Sequence, residues 1–227
     1  MEKNKTLKRA FIASLPVLAG YMVLGIGFGI MMRDKGFGVL WTAAMSLSIF
    51  SGTLQYVGVG LLAAPATMIQ TAITSLIVNA RYMFYSISMV KKYKGTGKYK
   101  PFLIFGLTDE TYTILSGETP KDANENKYRF LVTTFNHIYW IIGGITGNLL
   151  GQIIPFSTRG IDFSMTAIFI ASFTEEWIKK NNRKGAIIGV VTTLVCLLLF
   201  GEKWFLIPSM LIMTLLLSIK PKREAAK

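Results

Sequence analysis

Stretches of apolar residues, separated by short polar and basic segments, follow one another along the whole chain. A helix needs about 20 mostly apolar residues to cross a bilayer, and the first stretch is longer than the apolar core of a cleaved signal peptide. The pattern therefore predicts an all-α, polytopic membrane protein that forms a single domain over residues 1–227, with about six to eight membrane segments. The stretches cover residues 10–32, 37–62, 66–90, 101–116, 130–154, 161–178, 185–200 and 204–219.

The positions of the basic residues indicate which stretches cross the membrane. Five clusters hold 20 of the 25 Lys and Arg residues: residues 3–9, 91–100, 121–129, 179–184 and 220–227. Cytoplasmic loops carry the excess of Lys and Arg, so all five clusters are expected inside the cell. This requires the stretch 101–116 to enter and leave on the same side. The predicted protein lies in the cell membrane with both termini in the cytoplasm.

The composition changes this picture little. Hydrophobic residues make up 52% of the chain and charged residues 16%, whereas soluble domains carry about 25% charged residues. A net charge of +13 would suggest a nucleic-acid partner in a soluble protein, but the Lys and Arg excess of membrane loops explains it, and no nucleic-acid partner is expected. The single cysteine, Cys196, lies in an apolar stretch and is expected to serve packing.

Polar residues interrupt the second apolar stretch at Ser51-Gly52-Thr53-Leu54-Gln55. Non-helical backbone at membrane depth is tolerated only where it is buried in protein or lines a cavity. We therefore predict a discontinuous helix near Ser51 and Gly52, with Ser51, Gly52 and Gln55 as substrate-binding residues. The alternative is that these small and polar residues serve close helix packing.

Charged residues inside apolar stretches are expensive and indicate a cavity, a partner or a helix end. Asn79 and Arg81 end a track of hydroxyl residues, while Asp109 and Glu110 are adjacent acids in an apolar stretch. We predict that Asn79 binds substrate and that Arg81 pairs with Asp109 or Glu110 in coupling or gating. Arg81 could instead extend to the membrane surface, and Thr108 could cap a helix with both acids in its first turn.

Two further polar positions have simpler explanations. His137 is expected to satisfy a backbone carbonyl, with a proton relay as the alternative, and Asp162 is expected to cap a segment start. The chain has no phosphate-binding loop, no nucleophile elbow and no residue set for zinc, so neither catalysis nor a cofactor is expected. A gradient-driven carrier remains the favoured class.

Five motifs in order along the chain resemble the AzlC family of branched-chain amino acid permeases. The resemblance runs from about Phe11 to the last helix, and the chain departs from the family pattern at Ala80, Tyr82 and Thr166, where leucine, histidine and proline are usual. The matching motifs are Leu15-Pro16 with Gly25-Ile26-Gly27-Phe28-Gly29; Met45-Ser46 with Phe50-Ser51-Gly52-Thr53-Leu54-Gln55-Tyr56, like F-A-G-A-x-Q-F; Val78-Asn79-Ala80-Arg81-Tyr82-Met83-Phe84-Tyr85, like V-N-L-R-H-x-L-Y; Leu107-Thr108-Asp109-Glu110; and Gly160-Ile161-Asp162-Phe163 with Ala167-Ile168-Phe169-Ile170-Ala171.

The resemblance implies export of branched-chain amino acids by the larger subunit of a two-component permease. It also implies a small hydrophobic AzlD-like partner subunit, for which the glycines at 143, 144, 147 and 151 offer a docking face or, alternatively, an internal packing face. Leucine, isoleucine, valine and methionine are the expected substrates. A different class stays open, namely a non-transporting membrane scaffold or a passive channel subunit.

Overall fold

The computed structural model describes residues 2–64, 66–153 and 183–218, together with residues 163, 166, 170, 173, 174, 177 and 178 between them. Helices are the only regular structure in these ranges. By packing, the chain divides into two compact units, Met1–Met165 and Thr166–Lys227. The helices are α1 (Glu2–Asp34), α2 (Val39–Ser48), α3 (Gly52–Ala63), α4 (Met68–Val78), α5 (Ala80–Tyr93), a 3-10 turn (Gly97–Tyr99), α6 (Lys100–Phe105), α7 (Asp109–Ser116), α8 (Glu125–Ile153), α9 (Arg183–Trp204) and α10 (Leu206–Ser218).

Helices α1 and α8 form the centre of the first unit, packed face to face along glycines. A Cβ atom added to Gly147 would lie 2.1 Å from the carbonyl oxygen of Ile26, and one added to Gly29 would lie 2.0 Å from that of Gly144. Such distances leave room only for hydrogen, so the two backbones approach as closely as in small-residue helix pairs of membranes. The internal-packing alternative for the glycine face of α8 is therefore confirmed, and this face does not offer a docking surface.

Three predicted apolar stretches are each divided into two helices. The stretch 37–62 breaks at residues 49–51, between α2 and α3, where Ser51 has an extended backbone. The stretch 66–90 breaks at Asn79, which ends α4 and begins α5 with φ −91° and ψ 3°. The stretch 101–116 breaks at residues 106–108, between α6 and α7. The break at Ser51 and Gly52 was predicted. The break at Asn79 was not, because the sequence pattern predicted one continuous segment over 66–90.

Contacts gather several basic clusters at one end of the first unit. Arg9 on α1 forms an ion pair with Asp122 (Nη2 to Oδ2, 3.1 Å). The backbone N–H of Asn124 donates to Thr6 Oγ1. At the same end, Lys92 in the last turn of α5 reaches the carbonyl oxygens at the end of α7. Leu103 of α6 and Leu115 of α7 lie in one buried cluster with Ala10 of α1, so the α6–α7 segment begins and ends near the N-terminal part of α1. This geometry agrees with a segment that enters and leaves on one side, which stays a prediction with respect to the membrane.

The surface of the described residues is rich in large apolar side chains. Met68 is 91% exposed, Leu198 86% and Leu40 85%. Extended apolar surface of this kind is rare on soluble proteins and is the normal lipid-facing surface of membrane proteins. Two of the described helical segments, Asn4–Asp34 and Arg183–Glu202, have the length and composition to cross a bilayer.

The second unit contains α9 and α10 as a helical pair. Gly201 has φ +68°, in the left-handed region that favours glycine, and breaks the helix before Trp204. The break at Gly201 therefore separates the helices formed by the predicted stretches 185–200 and 204–219. Cys196 is buried and free, which confirms its packing role. The predicted segment 161–178 lies largely outside the described residues, and the predicted cap Asp162 lies wholly outside them.

Candidate functional site

The three helix breaks of the first unit meet through hydrogen bonds between their polar side chains. Ser51 Oγ, at the first break, donates to Asn79 Oδ1 at the second break over 2.9 Å. Tyr82 OH, one turn into α5, donates to Ser51 Oγ over 3.1 Å. Arg81 Nη2 donates to Thr53 Oγ1 over 2.7 Å. The start of α3 and the start of α5 are therefore joined by three side-chain contacts.

An ion pair connects this cluster with the third break. Arg81 Nη2 lies 3.1 Å from Asp109 Oδ2, and the side chains are 18% and 28% exposed. The contact predicted between Arg81 and one of the two acids is present, and the acid is Asp109. The guanidinium carbon of Arg81 also lies 5.4 Å from the ring centroid of Tyr82, a cation–π distance. The arginine does not extend to the surface but holds α5 against α7.

Glu110 has surroundings different from those of its neighbour Asp109. Its Oε2 atom lies 2.7 Å from the hydroxyl of Tyr21 on α1, and that hydroxyl also lies 2.7 Å from Thr108 Oγ1. Thr108 caps α7 by accepting from the amide of Thr111, so the capping explanation of the two acids is confirmed as well. Capping and charge pairing coexist because Thr108 faces α1 while Asp109 faces α5.

Gln55 and Gly52 pack against α8 instead of joining the cluster of Ser51 and Asn79. Gln55 is fully buried: its Oε1 accepts from Trp140 Nε1 over 2.6 Å, and its Nε2 donates to Ser46 Oγ over 3.5 Å. A Cβ atom on Gly52 would lie 3.1 Å from the Trp140 indole. In this conformation both residues support packing, and their substrate contacts stay a prediction that requires Gln55 to be released from Trp140.

His137 has the simple role expected from the sequence. Its Nε2 atom lies 2.9 Å from the carbonyl oxygen of Ser46, which is free because α2 ends at Ser48. The imidazole stacks on Phe50, with ring centroids 4.3 Å apart. The histidine thus satisfies the end of a broken helix.

Sequence reasoning missed several residues that build the site. Tyr21, Thr53 and Tyr82 each donate to or accept from a predicted site residue. Only Tyr82 carried a signal, because it replaces the usual histidine beside Arg81. Tyrosine and threonine are common in spanning helices, so Tyr21 and Thr53 do not stand out as site residues in the sequence. Their role is visible only once the helices are packed. No group of three potential metal ligands occurs among the described residues.

The arrangement suits a small zwitterion. The helices α3, α5 and α7 all begin at the cluster, and the N-termini of helices carry partial positive charge that favours a carboxylate. Asp109 supplies a negative charge for an ammonium group, and Ser51, Thr53 and Asn79 supply neutral hydrogen-bonding groups. Fold and contacts together define the class: a helical membrane protein whose broken helices meet at a partly buried ion pair.

Comparison with known proteins gives the particular family. The sequence model described as AzlC protein matches residues 16–154. The chain is 38% identical over 221 residues to the branched-chain amino acid transport protein AzlC of Bacillus subtilis (strain 168), covering 96% of this chain and 87% of that protein. The chain belongs to the AzlC family, which confirms the resemblance seen in its motifs.

Other relatives extend the similarity across bacteria. An uncharacterized membrane protein of Helicobacter pylori (strain 26695) is 38% identical over 220 residues, covering 96% of both chains. Inner membrane protein YgaZ of Escherichia coli K12 is 23% identical over 177 residues, covering 74% of this chain and 72% of that protein. No solved structure matches the chain.

Proposed function

We propose that this chain transports amino acids across the cell membrane, exporting branched-chain amino acids as the large subunit of a two-component permease. Family membership and the name of the Bacillus subtilis relative support the substrate class. The observation that carries the proposal is the meeting of three helix breaks at the ion pair of Arg81 and Asp109. Broken helices that present polar ends to one point are the arrangement of substrate sites in secondary carriers.

The ion pair explains how an amino acid opens the site without adding net charge. A zwitterion inserted between Arg81 and Asp109 places its carboxylate on the guanidinium and its ammonium on the aspartate. Each buried charge then keeps an opposite partner, so the cost of separating the pair is offset. Ser51, Gly52 and Asn79 hold the bound backbone, and release of Gln55 from Trp140 adds its amide to them.

Separation of the pair also moves helices. Arg81 belongs to α5 and Asp109 to α7, so a substrate between them forces the starts of these helices apart. The pair therefore acts as a gate that closes in the empty carrier. Phe50 and Phe105, whose ring centroids are 6.3 Å apart, supply apolar surface beside the break for a branched side chain. The partner is a small hydrophobic AzlD-like subunit that completes the permease.

The test is efflux of preloaded labelled leucine, isoleucine, valine and methionine from cells that make the chain with and without the small partner. Arg81→Ala and Asp109→Asn should lower efflux by about 10- to 150-fold, the equivalent of one charged hydrogen bond of about 1.5–3 kcal/mol. Asp122→Asn is the matched control, because it neutralises an aspartate in an exposed ion pair remote from the site.

A double variant separates transport from folding. Each single variant leaves one mostly buried charge without its partner, which destabilises the fold. Arg81→Gln with Asp109→Asn removes both charges and should recover much of the thermal stability while efflux stays low. Recovery of efflux in the double variant would show that the pair only supports structure. An unchanged efflux in all variants would favour a scaffold.

A further inference from the structure

We propose that Glu110 binds and releases a proton, and that its protonation state sets the direction of a buried hydrogen-bond chain running from α7 through α1 to α8. The inference deepens the proposed function and rests on it for the link to transport. The presence of the proton on Glu110 can be tested whether or not an amino acid is transported.

The chain of contacts is continuous and shielded from solvent. Glu110 Oε2 contacts Tyr21 OH at 2.7 Å, Tyr21 OH contacts Thr108 Oγ1 at 2.7 Å, and Thr108 Oγ1 contacts Thr111 Oγ1 at 3.0 Å. Asn136 Nδ2 on α8 then donates to Thr111 Oγ1 over 3.0 Å. Tyr21, Thr108, Thr111 and Asn136 are each at most 4% exposed. Water is therefore not available to replace a missing partner.

Counting protons shows why Glu110 decides the direction. In the present geometry Thr108 donates to Thr111, so its single hydroxyl proton is used. Tyr21 also has one proton but makes two short contacts, with Thr108 and with Glu110. One hydroxyl cannot donate in both. In the present geometry Tyr21 donates to Glu110, so the contact between Tyr21 and Thr108 lacks a proton. A proton on Glu110 would let the carboxyl donate to Tyr21 and Tyr21 donate to Thr108.

Loss of that proton turns the chain around. An ionised carboxylate only accepts, so Tyr21 must donate to Glu110, Thr108 to Tyr21, and Thr111 to Thr108. The proton leaves to water and comes from water, and otherwise only the hydroxyl protons of Tyr21, Thr108 and Thr111 turn to new acceptors. Two directions of the chain therefore correspond to the two charge states of Glu110.

The side chain of Asn136 is placed to respond to the direction in which the hydrogen-bond chain donates. Its Oδ1 atom is buried and has no hydrogen-bond partner among the described residues, while its Nδ2 donates to Thr111. With a neutral Glu110 the hydroxyl proton of Thr111 is free, and a half-turn of the amide lets Oδ1 accept it. With an ionised Glu110 that proton is directed to Thr108, and the amide must donate. The charge state on α7 is thereby transmitted to the central helix α8.

The surrounding charges distinguish Glu110 from Asp109. Asp109 is neutralised by Arg81 of α5 at 3.1 Å, whereas Glu110 has no ion-pair partner within the described part of the chain. The titratable groups acting on Glu110 are Tyr21 of α1, Arg81 of α5 and the adjacent Asp109. Tyr82 of α5 acts on Tyr21, and His137 of α8 is turned to the Ser46 carbonyl. Burial and, to a lesser degree, the adjacent carboxylate of Asp109 disfavour a second negative charge, so Glu110 is the acid that the proposal assigns the proton to.

Infrared difference spectra between acid and alkaline samples of the protein in lipid test the proton directly. The wild-type protein should show the carbonyl-stretch band of a protonated carboxylic acid, and Glu110→Gln should remove it. Glu118→Gln, which changes an exposed glutamate in the loop after α7, is the matched control and should keep it. Tyr21→Phe should shift the band, since the hydrogen-bond partner of the carboxyl is lost. A band unchanged in both Glu110→Gln and Tyr21→Phe would overturn the proposal.

Transport in vesicles then tests the coupling. In the wild type a pH gradient should drive labelled leucine uphill, while Glu110→Gln should exchange leucine across the membrane without concentrating it. Uphill transport by Glu110→Gln would overturn the coupling and leave the transport function intact. If the wild type moves no amino acid, the proposed function falls, and the infrared band still decides the protonation of Glu110.

Discussion

Single glycines determine how closely α1 and α8 approach. At Gly147 an added methyl group would meet the backbone of Ile26, which cannot rotate away as a side chain can. At Gly20 on α1, by contrast, nothing lies within 4 Å of the added atom. The two positions therefore predict opposite outcomes for the same chemical change.

Gly147→Ala should lower the melting temperature of the detergent-solubilised protein. Overpacking of a close contact costs about 1–3 kcal/mol, whereas Gly20→Ala should be neutral or stabilising by about 0.5–1 kcal/mol because alanine favours helix. Thermal unfolding of both variants beside the wild type provides the measurement. Equal melting temperatures would show that α1 and α8 adjust freely.

The ion pair of Arg9 and Asp122 should make a pH-dependent contribution to stability. The hydrogen bond from the Arg9 guanidinium holds the pKa of Asp122 below its ordinary value. A group with a lower pKa in the folded state stabilises above its unfolded pKa, here about pH 4, and loses that contribution as the pH falls through the folded value. Asp122→Asn should therefore melt below the wild type at pH 7 and together with it in strong acid. The same difference at both pH values would contradict the assignment.

Several residue roles followed from the sequence because they depend on near neighbours. The cap Thr108 lies three residues before its partner, and a histidine in an apolar stretch has few ways to be satisfied. The pairing of Arg81 with an acid was predictable because unpaired charges are not tolerated at depth. The burial of Gln55 was not, since its partner Trp140 lies 85 residues away. Such a contact exists only once α3 and α8 are packed.

At the scale of elements, α7 is a short helix held at both ends. Thr108 caps its first turn, and Lys92 Nζ donates to three carbonyl oxygens at its end: Leu115 (3.0 Å), Ser116 (2.5 Å) and Gly117 (2.7 Å). A lysine at a helix C-terminus satisfies unpaired carbonyls and complements the negative end of the dipole. A helix of 8 residues is too short to be stable by itself, so these caps hold Asp109 and Glu110 in place.

Lys92→Met should loosen α7 while leaving the remaining helices intact. The loss of a charged cap costs about 1–2 kcal/mol, so amide hydrogen exchange in α7 should accelerate by about 5- to 30-fold. Lys91→Met is the matched control, because Lys91 is an exposed neighbour. Exchange that is equally fast in both variants would show that α7 does not depend on Lys92.

The helix breaks differ in how far composition reveals them. The break at Ser51-Gly52 stands in a run of small and polar residues, so the sequence indicates it. The break at Asn79 follows Val78 and precedes Ala80, with no glycine or proline nearby, and the side chain of Asn79 accepts a hydrogen bond from Ser51. This contact spans 28 residues, so a local sequence pattern does not reveal it.

At the scale of the whole molecule, the basic clusters predict the orientation in the membrane. The first unit has the N-terminus of α1 and both ends of the α6–α7 segment at one end, and the C-terminal end of α1 near Arg33 packs against Gly151 on α8. The predicted topology places the first end in the cytoplasm and the second outside. Positively charged loops at the first end agree with this.

Single cysteines in a Cys196→Ala background test the orientation. An impermeant thiol reagent added to intact cells should label Lys35→Cys and leave Lys94→Cys and Lys121→Cys unlabelled until the cells are opened. All three positions are exposed, so access depends on the side of the membrane. Labelling of Lys121→Cys in intact cells would show that the stretch 101–116 crosses the membrane.

The shortness of α7 also has an electrical consequence. Its 8 residues rise by about 12 Å. If α7 runs along the membrane normal, the acids at its start lie about 12 Å from the membrane surface on the side of the basic clusters. The hydrocarbon core is about 30 Å thick, so more than half of the membrane potential falls between Glu110 and the opposite surface. For a proton that reaches Glu110 from that surface, a membrane potential of 100 mV changes the free energy of binding by roughly 1.4 kcal/mol. We therefore expect that a voltage alone, without a pH gradient, changes the occupancy of the proton site proposed at Glu110.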